Sequence, residues 1–262
     1  MSKLLVFGID GLGYDNALQH FRQYMPNLNR IARENYCKRI ELDVAISPRN
    51  WVRIFSGRDL EWYNLYVKRV RDDVWRLIKV NELGVRFIWD EFPGLVVINA
   101  PVVIPPVCKN TDFRPVQYGL PFTWFEAWRE LNGIRRSTLQ AIRQGRSVIA
   151  VTTVVDRMLH ITGNERVIRR LLIELDEVVR QVVERSRERG FDFIIVSDHG
   201  MRRISGESKG QIVPRHDMPY IRTVVKAIHE HSNDALYISS IRRDVNSHLD
   251  VYRVIRQTLL NS

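Results

Sequence analysis

The sequence predicts an α/β fold with a mostly parallel central sheet flanked by helices. Two observations carry this. Short apolar runs rich in β-formers recur at Leu4 to Ile9, Leu95 to Asn99, Ser147 to Val155 and Phe191 to Val196, as expected of buried strands. Stretches of helical periodicity fall between them, clearest from Val167 to Val183. Strands that alternate with helices imply crossover connections and a parallel sheet.

Taken in order, Leu4-Leu5-Val6-Phe7-Gly8-Ile9 is too short for a secretory signal and runs straight into Asp10, so it reads as a first strand. Pro26 to Ala32 opens a helix that ends near Asn35, and Arg39 to Ile46 alternates as a strand. Ser47-Pro48 starts a helix with Trp51, Ile54 and Phe55 on one face, and Gly57 stops it. Leu95 to Asn99 is a strand closed by Pro101, and Ser147 to Val155 is almost wholly β-branched. Residues 167, 168, 171, 172, 175, 178, 179, 182 and 183 form the apolar stripe of the long helix. Thr162-x-x-Glu165 offers it a capping box, and Gly190 a C-terminal stop before the strand Phe191 to Val196. Two stretches fit the alternation poorly, Asp59 to Asn81 and Pro105 to Trp128. The second holds Phe113, Tyr118, Phe122, Trp124 and Phe125. Each reads either as a lid or partner surface or as loops packed on the domain. With no internal repeat or low-complexity linker, residues 1–262 read as one domain.

Composition bounds the function. The chain is long enough for a sizeable core, and 45% apolar with 27% charged residues is globular. No apolar run approaches the roughly 18–20 residues of a membrane span. Cys37 and Cys108 are the only cysteines, which excludes a disulfide scaffold or a cysteine zinc cluster and points to the cytoplasm. The net charge is +10, and 33 of the 40 basic residues are arginine. That suits phosphate esters, nucleotides or nucleic acid, although a solvated arginine-leaning surface gives the same composition and no long basic run marks a nucleic-acid groove.

In open α/β sheets ligands collect beyond the carboxyl ends of the strands. Asp10 follows the first strand, Ser47 the second, Asp156 the strand from Ser147, with His160 four residues on, and Asp198-His199 the strand from Phe191. Carboxylates with imidazoles are a ligand set for zinc or manganese. Each piece has a plainer reading: Asp10 as a turn residue, Asp156 and His160 as an i,i+4 ion pair, Ser47 as an N-cap before Pro48. Their convergence on one edge of one sheet favours a site. Ser47 at a helix start also suits catalysis, because backbone N–H groups and the dipole there favour an anion.

These residues resemble the alkaline phosphatase superfamily, in its type I phosphodiesterase/nucleotide pyrophosphatase branch. The matching segments are Gly8-Ile9-Asp10-Gly11, Met25 to Ala32, Ser47-Pro48-Arg49-Asn50-Trp51 leading to Phe55-Ser56-Gly57, Asn99-Ala100-Pro101 with Pro105-Pro106, Asp156-Arg157-Met158-Leu159-His160 and Ser197-Asp198-His199-Gly200-Met201. The resemblance implies an alkaline phosphatase-like fold and two divalent metal ions, normally Zn²⁺, with Mn²⁺ as an alternative. Asp10, Ser47, Asp198 and His199 would hold one, and Asp156, His160 and a later histidine the other. Of His216, His229, His231 and His248, His216 fits that place best, in a loop before a strand and bracketed by Pro214 and Pro219. His229 and His231 read as a solvated helix or its end, and His248 as the approach to the last helix. Two departures stand out: Ser47 occupies a position usually held by Thr, and Trp62-Tyr63-Asn64 stands where the branch has His-Gly.

The expected activity is metal-dependent cleavage of phosphodiester or nucleotide pyrophosphate bonds through a phosphoryl-serine at Ser47. Arg49 and Asn50 would either steady the phosphoryl oxygens or form plain helix surface. The alternatives are a phosphomonoesterase with the same site and a non-catalytic basic nucleic-acid-binding protein. The expected partner is a phosphate-ester or nucleotide substrate, with no membrane.

Overall fold

Seven strands make one sheet, and its strand ends decide where the chemistry sits. The computed structural model describes residues 3–60, 67–71, 74–77, 84–102, 112–114, 124–204, 210–214, 222–226 and 228–261. The strands are β1 (Lys3–Ile9), β2 (Tyr36–Glu41), β3 (Val67–Arg71), β4 (Val74–Leu77), β5 (Val96–Ile98), β6 (Asp112–Arg114), β7 (Val148–Thr152), β8 (Phe191–Val196), β9 (Gly200–Arg203), β10 (Gly210–Pro214), β11 (Arg222–Lys226), β12 (His229–Ser232) and β13 (Asp234–Ser239). The helices are α1 (Pro26–Glu34), α2 (Ser47–Ser56), α3 (Ile88–Glu91), α4 (Trp124–Arg143), α5 (Val154–Ile161), α6 (Glu165–Glu188) and α7 (His248–Leu260).

The sheet order is β2-β13-β8-β1-β7-β5-β6. Strand β13 is antiparallel to both its neighbours, and the remaining pairs are parallel. The mostly parallel sheet expected from the strand–helix alternation is therefore present. Strand β1 lies at its centre and is buried on both faces: Leu5, Phe7 and Ile9 join a core with α1, α4, α5 and α6, while Leu4 and Val6 join one with α2, α3 and α7. This two-sided burial is why the strand reads as a continuous apolar run rather than an alternating one.

Several boundaries differ from the sequence reading, each for a tertiary reason. The strand expected over Arg39 to Ile46 spans Tyr36–Glu41, because its pairing with β13 ends at Glu41 and the chain leaves the sheet to deliver Ser47. The β-branched run from Ser147 ends its strand at Thr152, and Val154 and Val155 begin α5, whose Asp156 N–H donates to the Asp10 carbonyl at 3.2 Å. The cap of α6 is Asn164, whose side chain accepts from Arg166 N, rather than the Thr162–Glu165 box. Residues 229–232 form a strand, not a solvated helix. Gly57 and Gly190 do follow their helices, both with positive φ. The described part of the stretch at 59–81 includes the antiparallel β3–β4 ribbon, while most of 105–128 lies outside the described residues, as does His216. Among the described residues no helix is long and apolar enough to cross a membrane.

Candidate two-metal active site

Three strand ends and one helix start meet at the carboxyl edge of the sheet. Asp10 follows β1, Asp198 and His199 follow β8, Asp156 and His160 lie on α5 just after β7, and Ser47 opens α2. Local geometry explains the closeness. Gly11 adopts φ +76°, and a Cβ there would meet the Asp156 backbone and side chain at 2.8 Å, so only glycine lets the Asp10 loop lie against α5. Its N–H donates to Asp198 Oδ1 at 3.2 Å. At Gly8 the missing side chain leaves room for the Trp51 indole, and Trp51 Nε1 donates to Asp10 Oδ2 at 3.2 Å.

The ligand atoms fall into two adjoining groups: Asp10, Asp198 and His199, all buried, and Asp156, His160 and His231, partly buried. In the first, His199 Nε2 lies 3.6 Å from Asp10 Oδ1 and 3.3 Å from Asp198 Oδ2. Ser47 Oγ lies 2.7 Å from His199 Nε2 and 3.3 Å from Asp10 Oδ1. In the second, Asp156 Oδ1 is 3.3 Å from both His160 Nε2 and His231 Nε2, which are 2.9 Å apart. Asp156 Oδ1 is also 3.8 Å from His199 Nε2, so the groups touch. The His199 and His231 rings stack at 3.8 Å.

These spacings fit metal ions. Ligands about 2.0–2.1 Å from one zinc at tetrahedral angles lie about 3.3 Å from one another. Tautomers agree: Nδ1 of His199 donates to the Gly200 carbonyl at 2.9 Å and Nδ1 of His231 to the Ala45 carbonyl at 2.8 Å, which turns each Nε2 inward. Asp198 Oδ2 is buried with no hydrogen bond, as an oxygen that awaits a cation would be. Protonation tells the same story. Burial and the Asp198 and Asp156 charges push the Asp10 carboxyl well above its usual range. Burial and the Asp156 charge push Asp198 up to about 7. Burial and the His231 charge lower His199. Burial opposes the charge on His231, but the Asp156 hydrogen bond and charge outweigh it and raise the imidazole to about 9. Three crowded carboxylates need either protons or cations, and a divalent ion is the better neutraliser at neutral pH.

One expected result follows for the protein stripped of metal. The His231 pKa is raised from 6.5 to about 9, so its contribution to stability is complete below about pH 6.5 and lost as pH rises through 9. Asp198, raised from 3.8 to about 7, is already a full liability above pH 7. The melting temperature of EDTA-treated protein should therefore fall between pH 7 and 9, while zinc-loaded protein holds steady. Equal slopes in the two scans would contradict a metal-neutralised site.

Trp51 gives a second expected result. Trp51→Phe keeps an aromatic ring against Phe55, which it stacks on at 5.4 Å, but removes the donor to Asp10. Loss of such a partner to a ligand costs roughly 10–100-fold in metal affinity. Zinc titration against a chromophoric chelator should show that weakening, with the fold unchanged by circular dichroism.

The remaining sequence candidates go elsewhere. His248 is buried at the start of α7, its Nε2 donates to the Ser197 carbonyl at 3.0 Å, and burial lowers it to about 3. His229 Nδ1 donates to the Leu159 carbonyl at 2.8 Å. Arg49 forms two hydrogen bonds to Asp59, at 2.8 and 3.1 Å, and buried Arg53 ties Asp43 to Asp59. Hydrogen bonds from Arg53 and Arg49 hold Asp59 well below the usual carboxylate range. Asn50 is fully buried and gives both amide hydrogens to carbonyls, of Val44 and Asp198, at 2.9 Å each. As placed, Asn50 has no hydrogen left for a substrate and instead locks the turn before Ser47 to the Asp198 segment. Among the described residues the third group beside Asp156 and His160 is His231, which the sequence reading places below His216. Its signal was the His-x-His pair at 229 and 231: in a strand that spacing puts both rings on one face, here toward α5.

The profile of the type I phosphodiesterase/nucleotide pyrophosphatase family matches residues 78–256. The chain belongs to this family. The matched stretch takes in Asp156, His160, Asp198, His199 and His231, while Asp10 and Ser47 precede it. Membership makes the protein a hydrolase of the phosphoric ester type. No curated protein matches the sequence. Among solved structures, phosphonoacetate hydrolase from Sinorhizobium meliloti 1021, in complex with phosphonoformate, aligns with a TM-score of 0.66 at 10% identity, over 98% of this chain and 95% of that one. Murine ectonucleotide pyrophosphatase/phosphodiesterase 5, an inactive variant in complex with AMP, gives 0.66 at 10% identity over 99% and 95%. The human form of that enzyme gives 0.64 at 11% over the same shares. At these identities the likeness is one of fold.

Proposed function

We propose that this family member is a metal-dependent phosphodiesterase or nucleotide pyrophosphatase that works through a covalent phosphoryl-serine. The observation that carries the reading is Ser47 Oγ, 2.7 Å from His199 Nε2 and 3.3 Å from Asp10 Oδ1, in the first turn of α2. Ser47 makes no capping bond there; the cap residue is Ile46. The hydroxyl is thus turned toward the ligand groups rather than its own helix, which removes the plainer reading of Ser47.

Divalent cations, zinc or manganese by donor set, would be held by Asp10, Asp198, His199 and Ser47 and by Asp156, His160 and His231, and would supply charge neutralisation and a lowered pKa for the hydroxyl and for water. Ser47 Oγ loses its proton to solvent water and attacks phosphorus, and the bond from phosphorus to the leaving oxygen breaks in line, that oxygen taking up a proton from solvent as it departs. The α2 dipole faces the phosphoryl oxygens as the charge shifts. Water entering from the side of Asp156, His160 and His231 then attacks phosphorus, freeing Ser47 and the phosphate product. The AMP bound by the murine neighbour supports a nucleotide substrate, and the basic surface here suits one.

A panel of bis-p-nitrophenyl phosphate, p-nitrophenyl phosphate, dinucleotides and nucleoside triphosphates, with Zn²⁺ and Mn²⁺, tests this. Diester or pyrophosphate cleavage by protein holding two metals per chain is expected. A preference for p-nitrophenyl phosphate would convert the assignment to phosphomonoesterase. Less than one metal per chain after zinc loading, with no turnover, would overturn it.

A further inference from the structure

On the outer surface of the segment that joins β1 to α1 lies a recess of about 540 Å³. Its lining includes Arg22, Arg33, His20, Gln19, Gln23 and Asn29, and no acid. We infer that this recess is a second, non-catalytic anion site, which takes the phosphate groups of a small phosphorylated molecule such as a nucleoside diphosphate.

Charge carries the first part of the argument. Among the described residues neither Arg22 nor Arg33 has a carboxylate partner. The acids nearby are committed elsewhere. Asp15 is held by Arg39 at 3.2 and 3.0 Å. Glu34 faces Arg30 and Arg187 at 3.7 and 3.3 Å. Glu184 faces Arg30 at 3.1 Å. Asp176 accepts from the first amides of α1, Asn27 N at 3.0 Å and Leu28 N at 2.8 Å. Two exposed guanidiniums with no counter-charge, beside an imidazole, leave the recess positive, and planar guanidinium forks match phosphate oxygens two at a time.

The uncharged groups point to more than inorganic phosphate. Asn29 is buried in the floor and gives Nδ2 hydrogens to the Met25 carbonyl at 2.8 Å and the Ala17 carbonyl at 3.3 Å. That fixes its amide and leaves Oδ1 as the acceptor for a hydroxyl or N–H of the ligand. Gln23 adds an amide donor at the rim, while Gln19 Nε2 donates to Asp15 Oδ1 at 3.1 Å. The volume falls within the roughly 300–1,000 Å³ of small-molecule sites.

The segment is braced from within, so the recess has a firm floor. Asn16 Oδ1 accepts from Met201 N at 2.9 Å, and Asp15 N donates to Asp234 Oδ2 at 3.0 Å. The inner face thus ties the segment to β9 and β13, which flank His199 and β12, while the recess is lined by Arg22 and the two glutamines.

The test is calorimetric titration of the intact chain with ADP, with and without excess EDTA. EDTA removes metal-dependent binding at the catalytic groups, so the surviving component reports the recess. We expect one ADP per chain under EDTA, weakened by added salt, competed by inorganic phosphate and not by adenosine. Arg22→Ala/Arg33→Ala should weaken that component at least about tenfold. Arg242→Ala/Arg243→Ala removes the same charge from an exposed loop and should leave it unchanged. Absence of the EDTA-resistant component, or equal loss in both double variants, overturns the site. Competition by adenosine as strong as by phosphate overturns the phosphate assignment. None of these readouts depends on turnover, so failure of the hydrolase reading would show separately.

Discussion

Ser47→Ala is expected to lower phosphodiester turnover by at least about 10⁴-fold, as removal of a nucleophile does elsewhere. The protein should keep its melting temperature within a degree or two. An ordinary N-cap serine would behave the other way round: its loss costs about 1 kcal/mol of stability and little activity. The structure separates these outcomes, because the Ser47 hydroxyl makes its close contacts with His199 and Asp10 and none with the amides of α2. Ser47→Thr retains the hydroxyl and should retain measurable turnover. Rapid-quench mass spectrometry of the parent enzyme should trap a phosphate adduct on residue 47. Turnover close to the parent's in Ser47→Ala would end the covalent mechanism.

His231→Ala is expected to remove one of two metals per chain and to lower activity by orders of magnitude. His231 Nε2 sits 3.3 Å from Asp156 Oδ1 and 2.9 Å from His160 Nε2, and its other nitrogen is anchored on the Ala45 carbonyl. Without the imidazole, Asp156 and His160 alone would have to bind the ion, and two protein ligands are fewer than catalytic zinc sites use. His216→Ala is the decisive comparison, since the sequence favours that residue for the same post. Two metals retained in His216→Ala and one in His231→Ala would assign the third ligand to His231; the reverse pattern would assign it to His216.

The contrast between those two histidines shows what the sequence could and could not convey. Strands such as Leu4–Ile9 and Phe191–Val196 are legible because parallel strands buried on both faces leave continuous apolar runs. Asp10, Asp156, His160, Asp198 and His199 are legible because each follows such a run. His231 is not, because β12 is a four-residue, half-buried, polar strand that pairs with β9 outside the main sheet. Strand β13 is hidden for a related reason: only Ala235 to Ile238 are apolar, and the polar residues around them resemble a loop. Its antiparallel pairing with β8 sets where β12 must end. The roles of Arg49 and Asn50 depend on partners at Asp59, Val44 and Asp198, which no local pattern reveals. The end of the Ser147 run at Thr152 likewise follows from a contact with Asp10 rather than from β-propensity.

The two ligand groups differ in what carries them. Asp10, Asp198 and His199 stand on the ends of central strands and are almost wholly buried. The other group takes one of its three ligands from the β9–β12 ribbon, and its side chains are 15–30% exposed. Small ribbons open locally at lower free energy than a central sheet does. Ions held as proposed should therefore have unequal residence times: one at Asp156–His160–His231 would exchange with solution when the ribbon lifts, and one at Asp10–Asp198–His199 only on deeper opening. Under the proposed two-metal mechanism, scarce metal would leave the protein half-loaded, whole in fold and slow in turnover, until the outer position refilled.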